Sequence, residues 1–467
     1  MADAFVARAS KATLPIHTVT RESFSLWRSK ASKRQADWIA ASGFKGAAGK
    51  FVLIPGDKGT PEAVLAGVSN DASPWDYAAL SATLPKGTYR FAEEGDKALA
   101  TRQALGWALG KYAFKRYRSK AQDNHDDDAR LVWPKAADRG AVDRTSEATF
   151  LARDLINTPA SHMGPVELAA AANKLADAYK AKIKITVGDA LLKSNYPMIH
   201  AVGRASSRPP RLIDITWGRA SAPKVTLVGK GVCFDTGGLD IKPAGSMLQM
   251  KKDMAGGATV LGLARMIMDA KLDVRLRVLI PAVENSVSGN AYRPQDVLTS
   301  RKGITVEVGD TDAEGRLVLA DALWEASSEA PDLLMDFATL TGAQRVACGT
   351  ELPSFFCHDD KLAQDFYEAG EATGDPVWRL PLFEAYRSEL DSPVADICSV
   401  GKSRTGGAIH AALFLEEFVS PNIPWIHVDY MAWTVSGKPG KPSGGEPQSM
   451  RAVYALIEKR FGKKKKG

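Results

Sequence analysis

The decisive stretch is V-T-L-V-G-K-G-V-C-F-D-T-G-G-L-D-I-K-P, residues 225–243. Its first five residues, V-T-L-V-G, are a short β-branched and apolar run closed by glycine, the pattern of a strand buried on both faces. Similar runs recur downstream at 274–283, 333–340 and 425–430, with a short alternating segment at 304–308. Helical stretches separate them: 255–270 is amphipathic, and 313–328 has helical periodicity. From about residue 160 onward the order is strand, helix, strand, helix. This predicts an α/β layer fold with a mostly parallel central sheet flanked by helices.

Toward the N-terminus, residues 14–19, 51–56 and 63–68 read as strands. Residues 97–120 read as a helix, with Leu105, Leu109 and Phe114 spaced by four and five. Lys111, Lys115, Arg116, Arg118 and Lys120 gather near its end, where cations suit the helix dipole. The polar stretch S-K-A-Q-D-N-H-D-D-D-A-R, residues 119–130, suits a loop. Residues 145–159 read as a connecting helix that Asn157-Thr158-Pro159 stops. The expected organisation is a smaller N-terminal α/β domain (1–144), the connecting helix (145–159), a larger C-terminal α/β domain (160–462) and a lysine tail (463–467).

A chain of 467 residues, 45% hydrophobic and 25% charged, is ordinary for globular domains, which excludes disordered and fibrous classes. Four cysteines, Cys233, Cys348, Cys357 and Cys398, form no C-x-x-C pair, so the expectation is no disulfide framework and a reducing, cytoplasmic setting. No run of 18 apolar residues is present, and the N-terminus has no apolar segment of signal-peptide length. Lys plus Arg exceed Asp plus Glu by 61 to 54, a net charge of +7. The excess sits at the ends: residues 1–150 carry 23 basic against 17 acidic side chains, and Lys463 to Lys466 add four. Basic ends raise a second class of function, nucleic-acid binding.

Two segments put acids and lysines where buried strands end, the place where open α/β sheets bind ligands. In the first, Lys230, Asp235 and Asp253 are candidate metal ligands, and the glycines beside them would let backbone approach a ligand closely. Asp253 also opens a helix and on its own reads as a cap. A phosphate loop is excluded, because Gly231 rather than Ser or Thr follows Lys230. In the second, Asp310, Asp312 and Glu314 fall within five residues, with Arg316 beyond. Carboxylates so close raise one another's pKa unless a cation intervenes. Alone, this segment reads equally as an acidic turn at a helix start. None of the seven histidines has metal-ligand spacing; His162, His200, His358, His410 and His427 read as core or surface residues. Cys233, with no paired base, reads as a small buried hydrophobe.

Taken together the segments resemble the leucyl aminopeptidase family of dinuclear metallo-exopeptidases. The family's N-T-D-A-E-G-R-L stands here as D-T-D-A-E-G-R-L, 310–317, and G-K-G-x-x-F-D-x-G-G-x-x-I-K-P is intact over 229–243. S-G-N-A-Y-R-P, 288–294, and A-T-L-T-G-A, 338–343, are similar too. The resemblance covers about 150–430 and makes the C-terminal domain the catalytic one.

The resemblance implies two divalent ions per subunit, Zn²⁺ or Mn²⁺, with Mg²⁺ or Co²⁺ as alternatives. Lys230 would bind one ion as a neutral amine, Asp253 the same ion, Asp312 the other, and Asp235 and Glu314 both. Removing the Lys230 proton costs about 4.6 kcal/mol at pH 7 from an ordinary lysine pKa. Lys242 would be the free catalytic lysine. Arg316 would hold a bicarbonate acting as general base toward a bridging water or hydroxide. Met250, Thr339, Leu340 and Gly342 would wall the pocket for the N-terminal residue, leucine-like and apolar by preference. Met431, where many relatives carry a small residue, is expected to narrow it. The substrates would be peptides with a free N-terminus and the assembly a homohexamer, a dimer of trimers. The competing reading is a nucleic-acid-binding hexamer, with or without peptidase activity. Departures from the family pattern are Asp310 for the usual Asn, Gln295 for the usual Gly, and a loosely matching C-terminal stretch, 444–451.

Overall fold

A computed structural model describes residues 4–57, 59–119 and 129–462. Most of the polar stretch 119–130, Lys120 and the lysine tail lie outside the described residues. The chain forms two compact units: Met1–Phe150 with Ser436–Ser443, and Leu151–Val435 with Gly444–Gly467. The division at 150/151 falls inside one helix, Arg139–Asn157, which begins six residues before the expected connecting helix and stops at the Asn-Thr-Pro sequence. Residues 436–443 carry no mark in sequence that they join the first unit.

The first unit has a six-stranded sheet with Leu14–Val19 among its inner strands, parallel to Pro61–Gly67 and Gly87–Phe91. Its core joins Ile16, Val64 and Phe91 of the sheet to Tyr77, Leu80 and Trp107 of the helices Pro74–Thr83 and Lys97–Gly110. The helix read over 97–120 is shorter than expected. It ends at Gly110, and Lys111 donates back to the Ala108 and Leu109 carbonyls. The described cations Lys111, Lys115, Arg116 and Arg118 therefore lie beyond the helix rather than on its face.

The second unit is built on a nine-stranded mixed sheet. Trp425–Asp429, Leu333–Ala338, Lys224–Gly229 and Arg275–Asn285 lie side by side in that order, all parallel. Arg211–Trp217 and Ser354–Phe356 flank them antiparallel, and further strands extend both edges. The inner strands are almost wholly buried and mostly apolar because helices cover both faces. Val228, Leu279 and Leu334 pack against Leu317, Val318 and Leu323 of the helix Glu314–Ser327 and Phe414 of the helix Gly407–Glu416. The helix Ala255–Asp269 packs on the same strands. Among the described residues no helix is long and apolar enough to cross a membrane.

Gln295, which stands where the resemblance leads one to expect glycine, has φ +68° and donates its N–H to the Val308 carbonyl at 2.7 Å. A side chain in the left-handed region costs about 1–2 kcal/mol. Gln295→Gly is therefore expected to raise stability by up to about 1 kcal/mol after the unfolded-state entropy of glycine is subtracted. Denaturant melting of the two proteins checks the sign.

Candidate functional site

The strands Lys224–Gly229 and Gly231–Asp235 are one run of chain bent at Lys230. The Lys230 N–H donates to the Phe337 carbonyl at 2.9 Å, and its carbonyl accepts from the Gly257 N–H at 2.8 Å. This contact needs glycine at the helix start: a Cβ on Gly256 would lie 2.0 Å from the Phe337 oxygen. The glycines around Lys230 thus admit protein backbone rather than a ligand, a correction to the sequence reading. Strand end and helix start meet, and the Lys230 side chain turns into a buried site.

Lys230 Nζ lies 2.7 Å from Asp253 Oδ2, 2.7 Å from Glu314 Oε1 and 3.3 Å from the Thr339 carbonyl. Asp253 belongs to a 3₁₀ turn, Met250–Met254, and does not cap the helix that follows; its Oδ1 accepts from Thr339 Oγ1 at 2.6 Å. After Asp235 the chain reverses at Gly237, φ +89°, where a Cβ would lie 2.4 Å from the Asp240 carbonyl oxygen. The reversal returns Lys242 to the site, where Nζ lies 2.8 Å from Asp235 Oδ2 and also pairs with Asp312 Oδ1. Glu314 is the first residue of its helix and 1% exposed. Asp235, Asp312 and Glu314 each offer a carboxylate oxygen within 4.8 Å of the other two.

Side chains unremarked in the sequence hold these loops. Asn285 Nδ2 donates to Asp235 Oδ1 at 2.9 Å and to the Thr311 carbonyl at 3.0 Å. Tyr292 donates to the same carbonyl at 2.7 Å. The Thr311 N–H donates to Asp240 Oδ2 at 2.8 Å, and Thr311 Oγ1 donates to the Gly237 carbonyl at 2.7 Å. Tyr292 and Thr311 lay inside quoted motifs; Asn285 had no signal beyond ending a strand. Asp310 Oδ1 accepts from the Asp312 N–H at 2.7 Å, a turn an asparagine oxygen closes equally well.

The electrostatics are those of crowded acids matched to lysines. Burial and the Asp235 charge push Glu314 well above the ordinary carboxylate range. Burial, then Asp235, raises Asp312 to about 6 despite Lys242. Burial would also raise Asp253, but Lys230 and Lys252 hold it below its usual value. Burial opposes charge on Lys230 and Lys242, yet the carboxylates around each outweigh it and hold both above the ordinary lysine value. Asp253 Oδ2, Asp312 Oδ1 and Glu314 Oε1 meet the lysines as ion pairs without hydrogen-bond angles. Buried oxygens so arranged, all hard donors, fit divalent cations. Arg316 donates Nη1 to the Ser399 carbonyl at 2.7 Å and leaves Nε buried without a partner, a donor suited to an anion.

A cavity of about 200 Å³ opens on Lys230, Asp235, Lys242, Asp253 and Asp312. Met250, Thr339, Leu340, Gly342 and Met431, the five expected pocket residues, line it. Lys252 and Arg345, which the sequence reading did not single out, line it as well. Burial pushes Lys252 down to about 8, against the pull of Asp253. The described histidines stand apart from this cavity. His427 is fully buried on Asp336 at 2.6 Å, and Cys233 is buried with its thiol pKa raised by burial. The four cysteines are free.

A parallel-centred α/β sheet with lysines and clustered acids beyond its strand ends, beside a small cavity, defines an enzyme of the kind whose ligands bind at the carboxyl edge. The chain belongs to the cytosol aminopeptidase family, M17: the family's catalytic domain matches residues 150–455 and the M17 aminopeptidase N-terminal domain matches 14–134. It is an aminopeptidase, a peptide hydrolase. A probable cytosol aminopeptidase of Sulfurihydrogenibium sp. is 40% identical over 365 residues, 76% of this chain and 72% of the relative. The crystal structure of cytosol aminopeptidase from Coxiella burnetii superposes with TM-score 0.93 at 48% identity, covering 98% of this chain and all of that one. A bottromycin maturation enzyme, BotP, in complex with Mn, superposes with TM-score 0.86 at 32% identity, covering 96% of this chain and all of that one.

Proposed function

We propose that the chain releases the N-terminal residue of peptides through a dinuclear metal site. The observation that carries this reading is the cluster of Asp235, Asp312 and Glu314 oxygens beside Lys230 and Asp253, several of them without hydrogen-bond donors. Lys230, Asp235, Asp253, Asp312 and Glu314 would hold two divalent ions, and the manganese in the related BotP favours Mn²⁺, with Zn²⁺ the other candidate. Such ions supply Lewis acidity toward the scissile carbonyl and a lowered pKa for water. Lys230 must give up its proton to act as a ligand, which the surrounding carboxylates oppose until cations take over their charge. Lys242 donates to the oxygen that gains charge in the transition state. Arg316, with Nε free for an anion, is the residue to hold bicarbonate as proton acceptor. Met250, Leu340 and Met431 give the pocket apolar walls for a leucine-like side chain. The same family reading makes the protein a cytoplasmic hexamer, a dimer of trimers.

The test is release of the anilide from a leucine anilide. Chelation should abolish it and Mn²⁺ restore it. Reloading should weaken as the pH falls through about 6, because Asp312 takes up the proton that competes with the cation. Calorimetry of Mn²⁺ binding across pH 5 to 8 reads this directly, and activity that survives chelation refutes the reading. Met431→Ala should widen the range of N-terminal residues accepted, shifting relative kcat/KM toward bulkier ones by about tenfold. Identical profiles for the two proteins would remove Met431 as a pocket determinant.

A further inference from the structure

Lys252 is 5% exposed and lines the cavity, yet no described residue forms an ion pair or hydrogen bond with its ammonium group. The acids around it are engaged elsewhere. Asp253 is taken by Lys230 and Thr339. Asp429 accepts from the Leu340 N–H at 3.0 Å, the Thr341 N–H at 3.3 Å and Thr341 Oγ1 at 2.6 Å. Arg345, on the helix Gly342–Cys348, lines the same cavity, forms no ion pair with a described residue and adds a second positive charge. In the metal-loaded enzyme the carboxylates of the catalytic cluster do not offset this surplus. Without metal, Lys230 and Lys242 pair with Asp235, Asp253, Asp312 and Glu314 and balance only half of their charge. With two divalent cations they would be matched by those.

We propose that this pocket takes an anionic side chain, so that N-terminal glutamate and aspartate are substrates alongside apolar residues, with Lys252 the specificity-determining cation and Arg345 supporting it. This rests on the aminopeptidase reading and names the substrate class for it. A carboxylate could also reach the cations from the C-terminus of a dipeptide, so the test separates the two sources.

The Mn²⁺-loaded enzyme is assayed on glutamate anilide and leucine anilide, neither of which has a C-terminal carboxylate, and on Leu-Gly beside its amide. Wild type should cleave the glutamate anilide with kcat/KM at least a tenth of that for leucine. Lys252→Met, close in volume and free of the buried charge, should lower the glutamate-to-leucine ratio about 10- to 100-fold, the worth of a charge-assisted hydrogen bond. Lys252→Arg should restore most of the ratio, which a purely structural role would not. Calorimetry should show free L-glutamate bound by wild type and lost from Lys252→Met, with L-leucine as the reference. Leucine release with glutamate release under a hundredth of it overturns this inference alone. An effect of Lys252→Met confined to Leu-Gly against its amide overturns the side-chain placement. Release of neither anilide instead overturns the aminopeptidase reading beneath it.

Discussion

Glu314→Ala is expected to lower kcat/KM on a leucine anilide by about 10³-fold or more, roughly 4 kcal/mol of transition-state stabilisation. Glu314 stands at the first position of a buried helix, 1% exposed, with one oxygen near Lys230 and within reach of the Asp235 and Asp312 carboxylates. Its raised pKa reflects burial and repulsion from Asp235, a cost that a shared cation would remove. Without it the remaining acids should bind Mn²⁺ weakly. The metal-free variant should still fold, because Lys230 keeps Asp253 and is not left without a counter-charge. Two readouts separate the effects: the thermal shift on adding Mn²⁺ should shrink toward zero, while the metal-free melting temperature changes little. Wild-type activity in this variant would refute the proposed ligand set.

Lys242→Ala should lower kcat by about 10²–10³-fold, the cost of removing one donor aimed at a developing oxyanion, with a smaller change in KM. Here the Mn²⁺-induced thermal shift should persist, because Lys242 is not among the proposed ligands. The metal-free protein should suffer instead. Lys242 is the cation that pairs with both Asp235 and Asp312 and opposes the rise in the Asp312 pKa. With it gone, Asp312 should take up its proton at still higher pH, and metal-free stability above that pH should fall as two neighbouring carboxylates share no cation. Loss of metal binding together with activity would make Lys242 a ligand rather than a donor to substrate.

Much of this was legible from local chemistry. The apolar run at 225–229 and its counterparts fixed the strands because a sheet covered on both faces needs continuous hydrophobes. The G-K-G and D-T-D-A-E-G-R-L segments singled out the lysines and acids only when taken together, because each alone has an ordinary structural reading as a cap or an acidic turn. Other readings went astray where a residue's partner is distant in sequence. Asp253 could be taken for a cap because its partners Lys230 and Thr339 lie 23 and 86 residues away. The helix after residue 97 ran too long in prediction because periodicity does not mark where the chain leaves the helix after Gly110.

By itself, then, the sequence determined which segments are buried strands and, through its motifs, which family the chain resembles, since both follow from residue type and short-range spacing. Only the tertiary structure decided what those side chains meet. It brought Asn285 and Tyr292 to the Thr311 carbonyl, set Gly256 against the Phe337 oxygen, and placed Lys252 and Arg345 in one cavity without an ion pair among the described residues. The reason is physical: pairing, burial and net charge at a point are sums over neighbours, and in this fold those neighbours come from segments far apart along the chain.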